Sequence, residues 1–156
     1  MESYQGTADY IALCYAAADR SAAEQLTAAL QEQRLRVWVN NRGCAVAKQK
    51  DLAKLAASCT VVILISREWL GFEKCADQLR KAAELDKPLV LLFTEGADLT
   101  GRDDLNAVLS RSVRMLDYDP AKPAECISEM MQLDIVTDCR LADGEQPDNK
   151  RVGIFG

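Results

Sequence analysis

Two uninterrupted apolar runs, "VVILI" at residues 61–65 and "LVLLF" at 89–93, dominate the hydrophobic pattern of the chain. A strand covered on both faces has no solvent side on which to place polar residues, so runs of this kind predict the central strands of a parallel sheet. Shorter runs at 10–15 ("YIALCY"), 36–39 ("RVWV") and 113–116 ("VRML") predict three more strands, and 60–66 and 88–93 give the outer limits of the central pair. Helical periodicity fills the gaps between them. "SAAEQLTAALQEQ" places Ala23, Leu26, Ala29 and Leu30 on one stripe behind a capping box of Ser21 and Glu24. "QKDLAKLAAS" repeats Leu52, Leu55 and Ala56 at helical spacing, and "GRDDLNAVLSR" and "PAECISEMMQL" supply two further helices, the last with Pro123 in its first turn. The stretch "ISREWLGFEKCADQLRKA" passes from strand to helix, with Phe72, Cys75, Ala76, Leu79, Ala82 and Ala83 as its apolar stripe. Strands alternating with helices define βαβ units, so the predicted fold is a single flavodoxin-like, three-layer α/β domain: five parallel strands with helices on both faces.

Both periods fade after about residue 134, where "RLADGEQPDNK" reads as a polar linker. The expected organisation is a domain over residues 8–133 and a linker over 134–156. The closing "KRVGIFG" reads as a disordered tail with incidental apolar residues, the alternative being the first strand of a further, phosphate-binding-loop domain.

Composition removes whole classes of chemistry. The chain of 156 residues has no histidine, which excludes a Ser-His-Asp triad, a Cys-His dyad and any histidine-containing zinc site. Its six cysteines form no CxxC pair, so no metal site is expected, and the reading is of reduced thiols packed as small hydrophobes. With 19 basic and 24 acidic residues and no long Lys/Arg run, neither nucleic acid nor an anionic membrane is an expected partner. No apolar run approaches the ~20 residues that span a bilayer, and the N-terminus lacks the pattern of a secretion signal, giving a cytoplasmic expectation.

Open parallel sheets hold ligands at the carboxyl ends of their strands. After the first predicted strand comes "CYAAADRS", which has no glycine and so cannot be a dinucleotide-binding turn. The third ends in Ser66, where a phospho-receiver domain needs an aspartate. The same strand ends do resemble those of the Toll/interleukin-1 receptor (TIR) domain family, of bacterial or plant-like type. "LCYAAAD" resembles the family's first strand with Tyr15 and Asp19 in place. "RLRVWV" followed by "NNRGCAVAKQKD" is similar to its second strand and variable BB loop. "LAASCTVVILISREWL" and "EKCADQL" resemble its third strand and the helix beyond.

The resemblance implies a signalling and assembly module that associates with itself or with other TIR domains through the loop carrying Asn40, Asn41, Arg42, Gly43 and Lys48. It needs no cofactor and implies NAD+ as substrate or ligand, with Tyr15, Ser66, Trp69 and Cys75 as substrate-binding positions. Many relatives cleave NAD+ at the nicotinamide bond, and their catalytic glutamate falls on Gln78. The expectation is therefore loss of NAD+ hydrolysis. The alternative is an NAD+ glycohydrolase in which Gln78 is an inactivating substitution, natural or engineered. Helical geometry turns the neighbouring Asp77 away from the stripe toward Lys81, so it is a poor stand-in. Glu68 and Glu73 are the other carboxylates at this junction, Glu73 suiting the start of a helix. At Asn40 many family members carry an acid.

Overall fold

The computed structural model describes residues 1–44, 48–109 and 113–151. Its main sheet is built from β2 (Ile11–Cys14), β3 (Val37–Val39), β4 (Thr60–Ile65), β5 (Leu89–Phe93) and β6 (Val113–Asp117), all parallel, in the order β3-β2-β4-β5-β6. This is the predicted flavodoxin-like order, and each predicted strand is present within a residue or two. Every residue of β4 is buried, as the unbroken apolar run requires.

Side chains leave a strand on alternate faces, and two hydrophobic clusters result. On one face Val61, Ile63 and Leu91 pack with Leu55, Leu79 and Leu105. These three come from α2 (Gln49–Ala57), α4 (Glu73–Glu84) and α5 (Asp103–Asn106). On the other face Val62, Leu64 and Val90 meet Leu26 and Leu30 of α1 (Arg20–Glu32) and Met130 of α6 (Pro123–Met130). A short α3 (Arg67–Leu70) precedes α4, so the stretch from Ser66 onward is two helices broken at Gly71 rather than one.

Local chemistry differs from the pattern-based reading at several ends. Ser21 does not cap α1: the helix starts at Arg20, Asp19 occupies the cap position without a side-chain cap bond, and Glu24 pairs with Arg20 at 3.1 Å. Phe72, read as part of the buried stripe, precedes the first turn of α4 and is half exposed. Both α1 and α4 end in left-handed residues other than glycine, Arg34 (φ 63°) and Asp86 (φ 56°). In each case an amide reaches back five residues, Leu35 N to Leu30 O at 3.3 Å and Lys87 N to Ala82 O at 3.0 Å, which satisfies a terminal carbonyl.

Residues 134–151, read as linker, carry ordered structure on the domain. The turn of helix α7 (Asp134–Thr137) buries Val136, and Cys139 joins the same cluster. The Cys139 carbonyl accepts the Arg36 amide at 2.9 Å, and Leu141 N donates to Arg34 O at 2.7 Å. Strand β7 (Asn149–Arg151) then pairs antiparallel with β1 (Glu2–Tyr4) in a separate two-stranded sheet. The Ser3 hydroxyl donates to Val39 O and accepts from Val39 N, both at 2.9 Å, which fastens β1 beside β3. Most of "KRVGIFG" lies at 152–156, outside the described residues.

A bidentate pair holds this segment. Arg36 Nη2 and Nε donate to Glu145 Oε1 and Oε2 at 2.6 and 2.8 Å, and Arg36 Nη1 donates to Asp9 O at 3.0 Å. The Arg36 guanidinium lowers the Glu145 carboxyl from 4.5 to about 2. A carboxyl depressed on folding contributes stability above its unfolded value and loses that contribution as the pH falls through its folded one. Glu145→Gln is therefore expected to unfold at lower urea than the parent at pH 7. The gap should narrow as the pH drops from about 4.5 toward 2, and a gap constant with pH would show that the pair contributes no linkage.

Candidate functional site

The chain leaves β2 toward β3 on one side of the sheet and then crosses to β4 on the other, so the crevice at the switch point opens outside the carboxyl ends of these three strands. The segments after them fold into a connected set of contacts.

Tyr15, just past β2, is buried and donates its hydroxyl to Asn40 O at 2.8 Å. Asn40 organises the loop after β3: its Oδ1 accepts from Gly43 N at 2.6 Å and Arg42 N at 3.2 Å, and its Nδ2 donates to Gly43 O at 3.2 Å. An aspartate here would accept the same two amides and lack the third bond. Gly43 sits at φ +82°, and a Cβ there would lie 2.7 Å from Ala17 N, so only glycine fits. Next, Cys44 N donates to Tyr15 O at 2.7 Å, while the Arg20 guanidinium donates to Asn41 O.

Cys44 and Cys75 are joined by a disulfide, their Cα atoms 4.9 Å apart. This corrects the reading of all six cysteines as thiols, and it removes the Cys75 sulfhydryl as a free substrate-binding group. The bridge spans 31 residues and is made by folding the loop back onto the first turn of α4, a juxtaposition that spacing cannot reveal. Cys14, Cys59, Cys126 and Cys139 remain thiols, and burial pushes Cys14 up to about 12.

On the β4 side, Ser66 caps α3 by accepting Trp69 N at 3.0 Å and donates its hydroxyl to the Asp19 carboxylate. Burial raises the Asp19 carboxyl, the Ser66 bond opposes the rise, and Glu68 adds to it. Trp69 is fully buried with its indole N–H unpartnered among the described residues, so it belongs to the core and shows no ring face to solvent. Gln78, one turn beyond Cys75, is only 4% exposed, and its Oε1 has no hydrogen-bond partner among the described residues.

The carboxylates nearby point elsewhere. Asp77 and Glu73 meet Arg80 at 2.8 and 2.6 Å, and Arg80 also holds Asp104 at 2.7 Å. Arg80, rather than the expected Lys81, is thus the partner of Asp77; Lys81 lies 3.9 Å from Glu84. Glu68 is exposed on α3.

A cavity of about 230 Å³ adjoins the loop, walled by Trp38, Asn40, Arg42, Lys48, Lys50 and Lys54, among others. Of the expected loop residues it gathers Asn40, Asn41, Arg42 and Lys48. Gly43 and the expected substrate positions Tyr15, Ser66, Trp69, Cys75 and Gln78 do not line it. Lys50 and Lys54 join them through their i, i+4 spacing on α2. Among the described residues no group of three or more His, Cys, Asp or Glu side chains is placed to hold a metal ion, and no helix is long and apolar enough to cross a membrane.

The sheet order and the crevice above it define an open α/β domain of the flavodoxin-like class. Residues 11–129 match the TIR domain family, and the chain belongs to it. The fold is shared with the TIR domains in the structure of the activated Roq1 resistosome directly recognizing the pathogen effector XopQ: TM-score 0.57, 15% identity, 80% of this chain and 98% of that one. It is also similar to the FeoB G-domain from Methanococcus jannaschii: TM-score 0.50, 13% identity, 82% of this chain and 98% of that one. At such identities these two likenesses concern the fold alone. A search of curated proteins finds no match.

Proposed function

We propose that this TIR domain is a signalling and assembly module that joins copies of itself or other TIR domains through the 40–48 loop and does not hydrolyse NAD+. The observation that carries the second half is the amide at position 78, where the family resemblance places a catalytic glutamate. Departure of nicotinamide leaves an oxocarbenium-like ribose, which a carboxylate stabilises by charge and by hydrogen bonds to the ribose hydroxyls. An amide of the same shape keeps hydrogen bonds and supplies no charge. One such group is worth ~3–4 kcal/mol, a factor of a few hundred or more in rate. Asp77 offers no replacement, since it is exposed and engaged by Arg80.

The test is nicotinamide release from NAD+ by the parent chain beside Gln78→Glu, at high protein concentration. No release by the parent and turnover by the variant is the expected pair of results; robust turnover by the parent overturns the proposal. The association half is tested by light scattering of Arg42→Ala, which removes an exposed charge of the loop. Unchanged association counts against that loop as the contact.

The Gln78 Oε1, without a hydrogen-bond partner among the described residues, favours a second reading, in which it accepts a ribose hydroxyl without cleavage of the nucleotide. Calorimetric binding of NAD+ with no nicotinamide release is its signature.

A further inference from the structure

In a chain whose net charge is -5, four cations converge on one recess: Arg42, Lys48, Lys50 and Lys54 all wall the 230 Å³ cavity beside β3 and α2. Among the described residues none of the four forms an ion pair. Asp51 is the one acidic residue lining the cavity, and its Oδ2 is already used as acceptor for the Lys48 amide at 2.8 Å. Lys50 and Lys54 stand at i, i+4 on α2, where like charges repel. The recess therefore carries an excess of positive charge that an anion would offset, and a concave site with a low-dielectric wall strengthens the pull on that anion. Trp38, almost buried in β3, supplies the apolar wall.

We infer that this recess binds a small, multiply charged phosphate compound. Its volume lies below the ~300–1,000 Å³ of sites for drug-sized ligands, which suits a pyrophosphate or a phosphorylated sugar rather than a whole dinucleotide. The site is separate from position 78, since Gln78 does not line it, so it stands whether or not the reading of Gln78 holds. Lysine ammonium groups act as mobile point charges on phosphate, while the Arg42 guanidinium can meet two phosphate oxygens at once.

The experiment is an NMR titration of the ¹⁵N-labelled chain with sodium pyrophosphate, against sodium chloride at matched ionic strength. Saturable shifts at the amides of Asn40, Lys50 and Lys54 are expected with pyrophosphate alone, with affinity falling as salt is raised. Lys50→Glu with Lys54→Glu should weaken binding by at least about tenfold while leaving the rest of the spectrum unchanged. Both side chains lie on the surface of α2, and the Lys54 carbonyl that accepts Tyr10 Oη is kept. Two further arms separate the sources of the phosphate. Binding of ribose 5-phosphate assigns a free ligand, and binding only to vesicles carrying an inositol-phosphate headgroup, lost in the double variant, assigns a lipid. Equal shifts with chloride, or shifts that survive the double variant, overturn the site. Absence of pyrophosphate binding together with self-association that the double variant abolishes overturns it in favour of a protein contact.

Discussion

Trp69→Ala is expected to lower the unfolding free energy by ~3–5 kcal/mol, the cost of emptying a fully enclosed aromatic site. The residue ties α3 to the core cluster that α4 shares, so the loss should appear as one cooperative shift of the urea midpoint. Trp69→Phe separates two contributions. It removes part of the indole volume, but it also removes a buried N–H that has no acceptor among the described residues, a group whose desolvation costs ~1–3 kcal/mol. The two changes oppose each other, so Trp69→Phe is expected within ~1.5 kcal/mol of the parent. A Phe variant as unstable as the Ala variant would show that the indole N–H has a partner in solution.

Gly43→Ala should be the next largest effect, ~2–3 kcal/mol, from left-handed strain of ~1–2 kcal/mol and a lost backbone hydrogen bond of ~1 kcal/mol. The added Cβ would meet Ala17 N at 2.7 Å and Tyr15 O at 3.0 Å. Both are backbone atoms, so the loop must retreat and take the Cys44 amide off Tyr15 O. Gly101→Ala is the control: it has a similar φ of +78° and nothing within 4 Å of the new methyl, so it should show the strain alone. Urea midpoints give the stabilities, and faster hydrogen exchange at Cys44 gives the local opening. Equal losses at the two glycines would contradict the close approach at Ala17.

The strands were legible because a doubly covered sheet leaves its mark on every residue of "VVILI" and "LVLLF", and helical stripes such as Leu26/Leu30 are equally local. What escaped is set by distance along the chain or by single contacts. Nothing near Arg34 or Asp86 announces a left-handed helix end, since glycine is absent from both. Arg36 and Glu145 are 109 residues apart, and the polar stretch around Glu145 has no period of its own. Phe72 matched the stripe by spacing, yet it lies ahead of the first helical turn, where the spacing rule does not apply. At the candidate site the family resemblance directs attention to position 78 and the loop. It did not show that Cys44 would be bonded to Cys75, or that Lys50 and Lys54 would share a recess with Arg42.

The pairing of β1 with β7 has a mechanical consequence. Glu2 faces Arg151, Ser3 faces Lys150 and Tyr4 faces Asn149, so the rung nearest both chain ends is the first. A pull applied at the two ends loads such a ladder one rung at a time, as a zipper rather than in shear. The second rung to open belongs to Ser3, whose hydroxyl grips Val39, the residue before Asn40. Tension on the ends of this domain would thus be delivered, two rungs in, to the strand from which the 40–48 loop departs.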